Sequence, residues 1–274
     1  MLGHIIYNHE HLDDCRIQQE ISKTLYEKAF DGVLLVHAYN GKPDFKYKRY
    51  LEDKFIKIKN RGHFQGASDL INEGLSYFNR KRFPGLKYVL VTAADTWILN
   101  VPFLKKIVKE MELEGQVLAA SSWGRSRAPE KITGFSTDFF IIDIEWNRKA
   151  KLFPLNYTAF KKRFADFFYL QYSYPVLESA VMYKFQKYFS EHYKDNEAWR
   201  QRNKMFRRIV EREPVHVKGE RISSWPLIGL YTDPAPTEKR KALKKFGKNI
   251  GPNAQLLISG KLVKRYNKNG NRNA

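Results

Sequence analysis

Apolar runs of strand length alternate with helical segments through the first half of the chain, and that alternation restricts the fold more than any other feature. Gly3–Tyr7 reads as a short strand. Residues 14–30 then place Ile17, Ile21, Leu25 and Ala29 four apart, giving one apolar helix face. Gly32–Ala38 is a continuous apolar run closed by the turn pair Asn40-Gly41, and Phe55–Lys59 alternates with period two. Ala67, Leu70, Ile71, Gly74, Leu75 and Phe78 mark a helix over 64–78. Tyr88–Thr92 reads as a buried strand, the set Leu104, Ile107, Val108 and Met111 as a helix, and Val117–Ala120 as a further strand. Strands separated by helices in this way predict βαβ units and a mostly parallel, doubly covered sheet. After Gly134 the pattern changes. Phe135–Ile144 reads as one long strand, 156–213 as mostly helical, and 237–246 as a short basic helix beyond a Pro-punctuated stretch.

The chain has 274 residues, enough for one full core, and no apolar run approaches the eighteen or so residues that span a bilayer. The N-terminus lacks a secretory pattern, and the single cysteine, Cys15, forms no internal disulfide; both fit a reducing cytoplasm. A net charge of +20 calls for an anionic partner: nucleic acid, anionic lipid, or a phosphorylated or acidic substrate. No acidic residue follows Glu238, while Lys239, Arg240, Lys241, Lys244 and Lys245 begin a basic run to the C-terminus, which a solvated, solubilising tail explains equally well. The expected organisation is a main domain over 1–213 and a basic C-terminal extension over 214–274.

In open α/β sheets, ligands bind beyond the carboxyl ends of the strands. Here those ends are Tyr7–Glu10, Ala38–Gly41, Asn60–Gly66 and Ala93–Trp97. The loop from Asn60 to Gly66 joins a strand to a helix and offers Gly62, Gly66, a helix start and the donors Arg61 and His63, a combination suited to a diphosphate. Asp69 and Asn72 follow on the helix, where a solvated face explains them equally well. Asp95, just past a buried strand, is placed to meet a hard cation or to act as a turn or capping residue.

The order Tyr7-Asn8 at the first strand end, a polar turn after the second, Asn60-x-Gly62 with Gly66-Ala67 and Asn72-x-Gly74, then Tyr88-Val89-Leu90-Val91 leading to Asp95, resembles the GT-A fold glycosyltransferases, and looks most like their large inverting family 2. The likeness covers residues 3–190. It implies a Rossmann-like, mostly parallel sheet flanked by helices, with a helical, basic extension behind it. It also implies metal-dependent sugar transfer from a nucleotide-diphosphate sugar to a glycan or lipid-linked acceptor. Tyr7, Asn8, Tyr39, Asn40, Asn60, Gly62, His63, Gly66 and Asn72 are then expected around the donor. Asp95 is expected on Mn²⁺ or Mg²⁺, with His216 as a late ligand. By the same resemblance Glu178, in Pro175-Val176-Leu177-Glu178-Ser179, matches the catalytic base, and Asp138 is the reserve. One departure is plain: where the family carries Asp-x-Asp, this chain reads Ala93-Ala94-Asp95.

Two other readings compete. Interleaved basic and aromatic residues over 157–212 suit a nucleic-acid binder, although helix-core packing explains the aromatics more cheaply. Ala93 suits a transferase fold that binds nucleotide or glycan without turnover. Under the enzyme reading, the basic tail brings a cytoplasmic protein to the anionic inner membrane surface.

Overall fold

The structure is a computed structural model and describes residues 1–42, 46, 48–78, 82–123, 134–163, 176–209, 214–217, 220–223 and 227–228. Seven strands form one sheet: β1 (Leu2–Asn8), β2 (Val33–Tyr39), β3 (Lys54–Lys57), β4 (Tyr88–Ala93), β6 (Leu118–Trp123), β7 (Gly134–Asp143) and β8 (Phe206–Ile209). The spatial order is β3-β2-β1-β4-β7-β6-β8. β3, β2, β1 and β4 run parallel; β7 lies antiparallel to both β4 and β6, and β8 is parallel to β6. This is the mostly parallel α/β sheet that the GT-A resemblance implies.

Both faces are covered, which is why the central strands read as unbroken apolar runs. Alternation sends Leu90, Phe139 and Ile141 to one face, where they meet Ile17 and Ile21 of α1 (Leu12–Ile21) and Leu104, Ile107 and Met111 of α4 (Val101–Glu114). Val89, Val91, Phe140 and Ile142 go to the other, against Ile71 and Leu75 of α3 (His63–Tyr77) and Phe185 and Phe189 of α6 (Leu177–His192). Helix α3 approaches the sheet closely at Gly74, where a methyl group would lie 2.7 Å from Ile5 Cγ2.

Several boundaries differ from the sequence reading. The helix expected over 14–30 is interrupted: α1 passes through a π-helical turn at Ser22–Tyr26 into the single turn α2 (Glu27–Ala29). Ile144 opens helix α5 (Ile144–Ala150) rather than closing the long strand, because Asp143 ends it as an N-cap, accepting from the N–H groups of Glu145 and Trp146 at 2.9 Å each. Helix α7 (Asp195–Met205) gives way to strand β8 inside the stretch expected to be helical. β8 is an edge strand that buries only Ile209 fully, so Phe206-Arg207-Arg208 carries no clear strand signal.

Asp95 occupies the turn after β4, and Asn100, not Asp95, caps α4 by accepting from Phe103 N at 3.2 Å. Beyond that turn the short strand β5 (Trp97–Ile98) pairs with β11 (Leu227–Ile228), so part of the C-terminal segment lies beside the Asp95 turn. β9 (Pro214–Val217) and β10 (Glu220–Ser223) form an antiparallel pair. The side chain of His216, the helix expected at 237–246 and the rest of the basic tail lie outside the described residues. No helix among the described residues is long and apolar enough to cross a membrane.

Candidate active site

Parallel pairing aligns the carboxyl ends of β1, β2, β3 and β4, and because β7 runs the other way, its beginning arrives at the same edge. One side of that edge is an asparagine-lined rim. Asn8 Oδ1 accepts from His11 N at 2.9 Å, and its amide lies 3.3 Å from His37 Nε2. Asn40 Oδ1 is 3.1 Å from His9 Nδ1. Asn60 Oδ1 accepts from Gly62 N at 2.9 Å, folding the loop into a turn that Gly62 completes at φ +98°, in the region that favours glycine. Gly66 lies beneath this rim: a methyl there would sit 2.7 Å from both Asn40 Nδ2 and Asn60 Oδ1. Asn8, Asn40, Asn60, Gly62 and Gly66 are thus brought together.

Other residues expected near a donor have structural partners. Tyr39 is buried, and its hydroxyl accepts from Lys42 N at 2.9 Å. Asn72 clamps the Leu155 backbone onto α3, donating to its carbonyl at 2.9 Å and accepting from its N–H at 2.8 Å. Arg61 makes a two-pronged ion pair with Asp69, at 2.7 and 2.6 Å, which also receives Gln65 Nε2 at 2.7 Å. That pair fastens the loop to the helix it precedes.

The acidic side of the edge holds Tyr7, Asp95, Asp138 and Glu178, all half-buried. Tyr7 ends β1 and donates its phenol to Asp138 Oδ1 at 3.2 Å. Glu178 stands in the first turn of α6; Thr137 Oγ1 donates to its Oε1 at 3.0 Å, and its Oε2 is buried with no hydrogen-bond partner among the described residues. Glycine at 134 lets α6 come this close, since a methyl there would lie 3.0 Å from Glu178 Cβ. Burial, then the charge of Asp138, pushes the Glu178 carboxyl up to about 7, while its own backbone N–H and the Thr137 hydroxyl pull the other way. Burial also raises Asp138, opposed by the Tyr7 hydrogen bond and by the nearby charge of His63. The Tyr7 phenol is held well above its ordinary range by burial, then by Asp138, Asp95 and Glu178. Those mutual influences place His63, exposed at the start of α3, and Asp95 in the same group.

Beneath the Asp95 turn runs a buried polar spine that periodicity does not reveal. His4 lies 3.0 Å from Ser22 Oγ and 2.9 Å from Thr92 Oγ1. Gln18 donates to Thr92 Oγ1 at 2.7 Å and also to the carbonyl of Thr96, next to Asp95. Tyr26 donates to Ile98 O at 2.6 Å. The only sequence signal was polar residues, Gln18 and Ser22, on the same helix as Ile17 and Ile21. Burial drives His4 down to about 3, with the charge of Lys23 adding to it, so its imidazole is neutral at physiological pH.

Among the described residues no three His, Cys, Asp or Glu side chains converge as a metal site. Asp95 suits a divalent cation alongside a ligand's own oxygens, the way Mg²⁺ is commonly held by one or two carboxylates and substrate phosphates. An open depression lined by Asp143, Glu145, Trp146, Arg148 and Lys149 lies at the opposite end of β4, far from this chemistry.

The fold is a mostly parallel α/β sheet covered by helices, and the acidic cluster at the carboxyl edge of that sheet is a candidate active site. No protein-family model matches the chain, and no curated protein sequence matches it. Among solved structures it is similar to mouse xyloside xylosyltransferase 1 in its apo form, at TM-score 0.40 and 11% identity, over 76% of this chain and 84% of that one. It is also similar to residues 1–349 of S. aureus TarS, at TM-score 0.38 and 13% identity, over 56% of this chain and 50% of that one.

Proposed function

We propose that the chain is a glycosyltransferase that moves a sugar from a nucleotide-diphosphate donor to an acceptor hydroxyl on a glycan or lipid-linked molecule. The observation that carries this reading is Glu178, a carboxyl titrating near neutrality with one buried, partnerless oxygen at the ligand-binding edge of a GT-A-like sheet. In the proposed step Glu178 takes the proton of the acceptor hydroxyl as that oxygen bonds to the anomeric carbon. The bond to the diphosphate breaks, and its electron pair leaves with the diphosphate; one displacement of this kind inverts the anomeric centre. The rim of Asn8, Asn40, Asn60, Gly62 and Gly66 would receive the donor, with His63 beside its phosphates. Asp95 would hold Mn²⁺ or Mg²⁺, with His216 as the further ligand we propose, and the ion would supply positive charge to the departing diphosphate. We place the protein in the cytoplasm, with the basic tail of a 214–274 extension drawing it to anionic membrane.

A thermal-shift screen of UDP, GDP, CDP and their sugars, with and without Mn²⁺, tests this. One nucleotide is expected to raise Tm in a Mn²⁺-dependent way that Asp95→Ala abolishes, with donor turnover rising as pH passes through 7. A rise with nucleotide but no turnover of any donor would indicate a binding protein; a rise only with oligonucleotide, steeply salt-dependent, would replace the transferase with a nucleic-acid binder.

A further inference from the structure

Tyr7, Asp138 and Glu178 come from β1, β7 and α6: Tyr7 donates to Asp138, the neighbouring Thr137 donates to Glu178, and the charge of Asp138 acts on the Glu178 carboxyl. Two carboxyls in each other's field do not ionise independently; they share a proton, and their surroundings decide which one keeps it. Those surroundings are unequal. Asp138 has the Tyr7 phenol donating to it at 3.2 Å and the charge of His63 from α3 nearby. Glu178 has the Thr137 hydroxyl and its own N–H on one side and a partnerless oxygen on the other. Among the described residues, the charge of Asp95, from the turn after β4, also acts on the phenol.

We propose that Tyr7 is a positioning residue for this pair, its phenol holding Asp138 as the ionised member and leaving Glu178 as the one that exchanges its proton. Burial first, then the acidic groups around it, keep the phenol protonated at physiological pH, so Tyr7 is a permanent donor and not a proton carrier. This gives Tyr7 a task other than the donor contact expected from sequence. It rests on the transferase reading only where it calls Glu178 the base; the proton sharing stands without it.

The test is a ¹³C NMR titration of the full chain labelled at Asp and Glu side-chain carboxyls, with Glu178→Gln and Asp138→Asn supplying assignments. In the unmodified protein Glu178 should titrate at about 7. In Tyr7→Phe, Asp138 loses its donor and should titrate about one pH unit higher, taking a larger share of the proton, so the Glu178 carbon should show a smaller step near pH 7. Asp138→Asn should lower the Glu178 midpoint by a similar amount, and Thr137→Val, removing a donor to Glu178, should raise it. If Tyr7→Phe does not fold, 3-fluorotyrosine at position 7, a stronger donor, should lower the Asp138 midpoint. Midpoints unmoved by the change at position 7 overturn the proposal. If they move as expected while Glu178→Gln keeps donor turnover, the base assignment fails and the proton-sharing unit stands.

Discussion

Replacing Glu178 with glutamine should make this protein more stable while removing the reaction proposed for it. A carboxyl whose midpoint rises from 4.5 to about 7 binds its proton more tightly in the folded chain than in the unfolded one. Its contribution is therefore fully present below pH 4.5 and is lost as pH climbs through 7. At ~1.4 kcal/mol per pH unit the full loss is about 3 kcal/mol, and contact with solvent reduces it to roughly 2 kcal/mol. Glutamine has the same shape, accepts from Thr137 as the carboxyl does, and never ionises. Glu178→Gln should accordingly match the parent near pH 4.5 and exceed it at pH 8 by roughly 2 kcal/mol, or about 5 °C in Tm for a chain of this size. Thermal and urea unfolding of both proteins at the two pH values measures this. An equal difference at both pH values, or none at pH 8, would refute the claim that ionising Glu178 strains the fold.

Two other outcomes follow from the packing. His4 and His37 are buried and titrate at about 3, so unfolding lets each take up a proton below its ordinary 6.5; stability should fall as pH drops from 6.5 toward 3, and His4→Gln should flatten that slope by at most ~1.4 kcal/mol per pH unit, read from urea midpoints. Gly74→Ala would force a methyl group to within 2.7 Å of Ile5 on β1, and should cost about 1–3 kcal/mol in a denaturant melt without altering Mn²⁺-dependent nucleotide binding.

The sheet was legible because each buried strand presents apolar side chains to both faces, and because Asn40-Gly41 and Asn60–Gly66 mark where strands stop. Tyr7, Asp95, Asp138 and Glu178 were legible from the strand-end rule and the family resemblance, which bring distant residues to one edge. Their bonding was not, because a contact between β1 and β7 depends on which strand lies between them. Asn72 shows the same limit: one turn from Asp69 it looks like a solvated residue, yet the loop it clamps is encoded at Leu155, beyond the reach of local periodicity. Gln18 and Ser22 escaped because a buried polar side chain resembles an exposed one until its partner is known. β8 escaped because an edge strand with two adjacent, solvent-reaching arginines shares its composition with the basic helix before it.

The position of β7 also bears on how the chain matures. It enters the sheet between β4 and β6, although about forty residues of chain separate its start at Gly134 from the end of β4 at Ala93. Until the β6–β7 pair docks, β4 is an apolar edge with open backbone groups, the kind of surface that captures other chains. During synthesis that edge emerges well before its covering strand, so the interval between the two is when aggregation threatens most and when a chaperone would be needed. Because Asp138 arrives on β7 itself, the acidic cluster assembles only when that edge is closed.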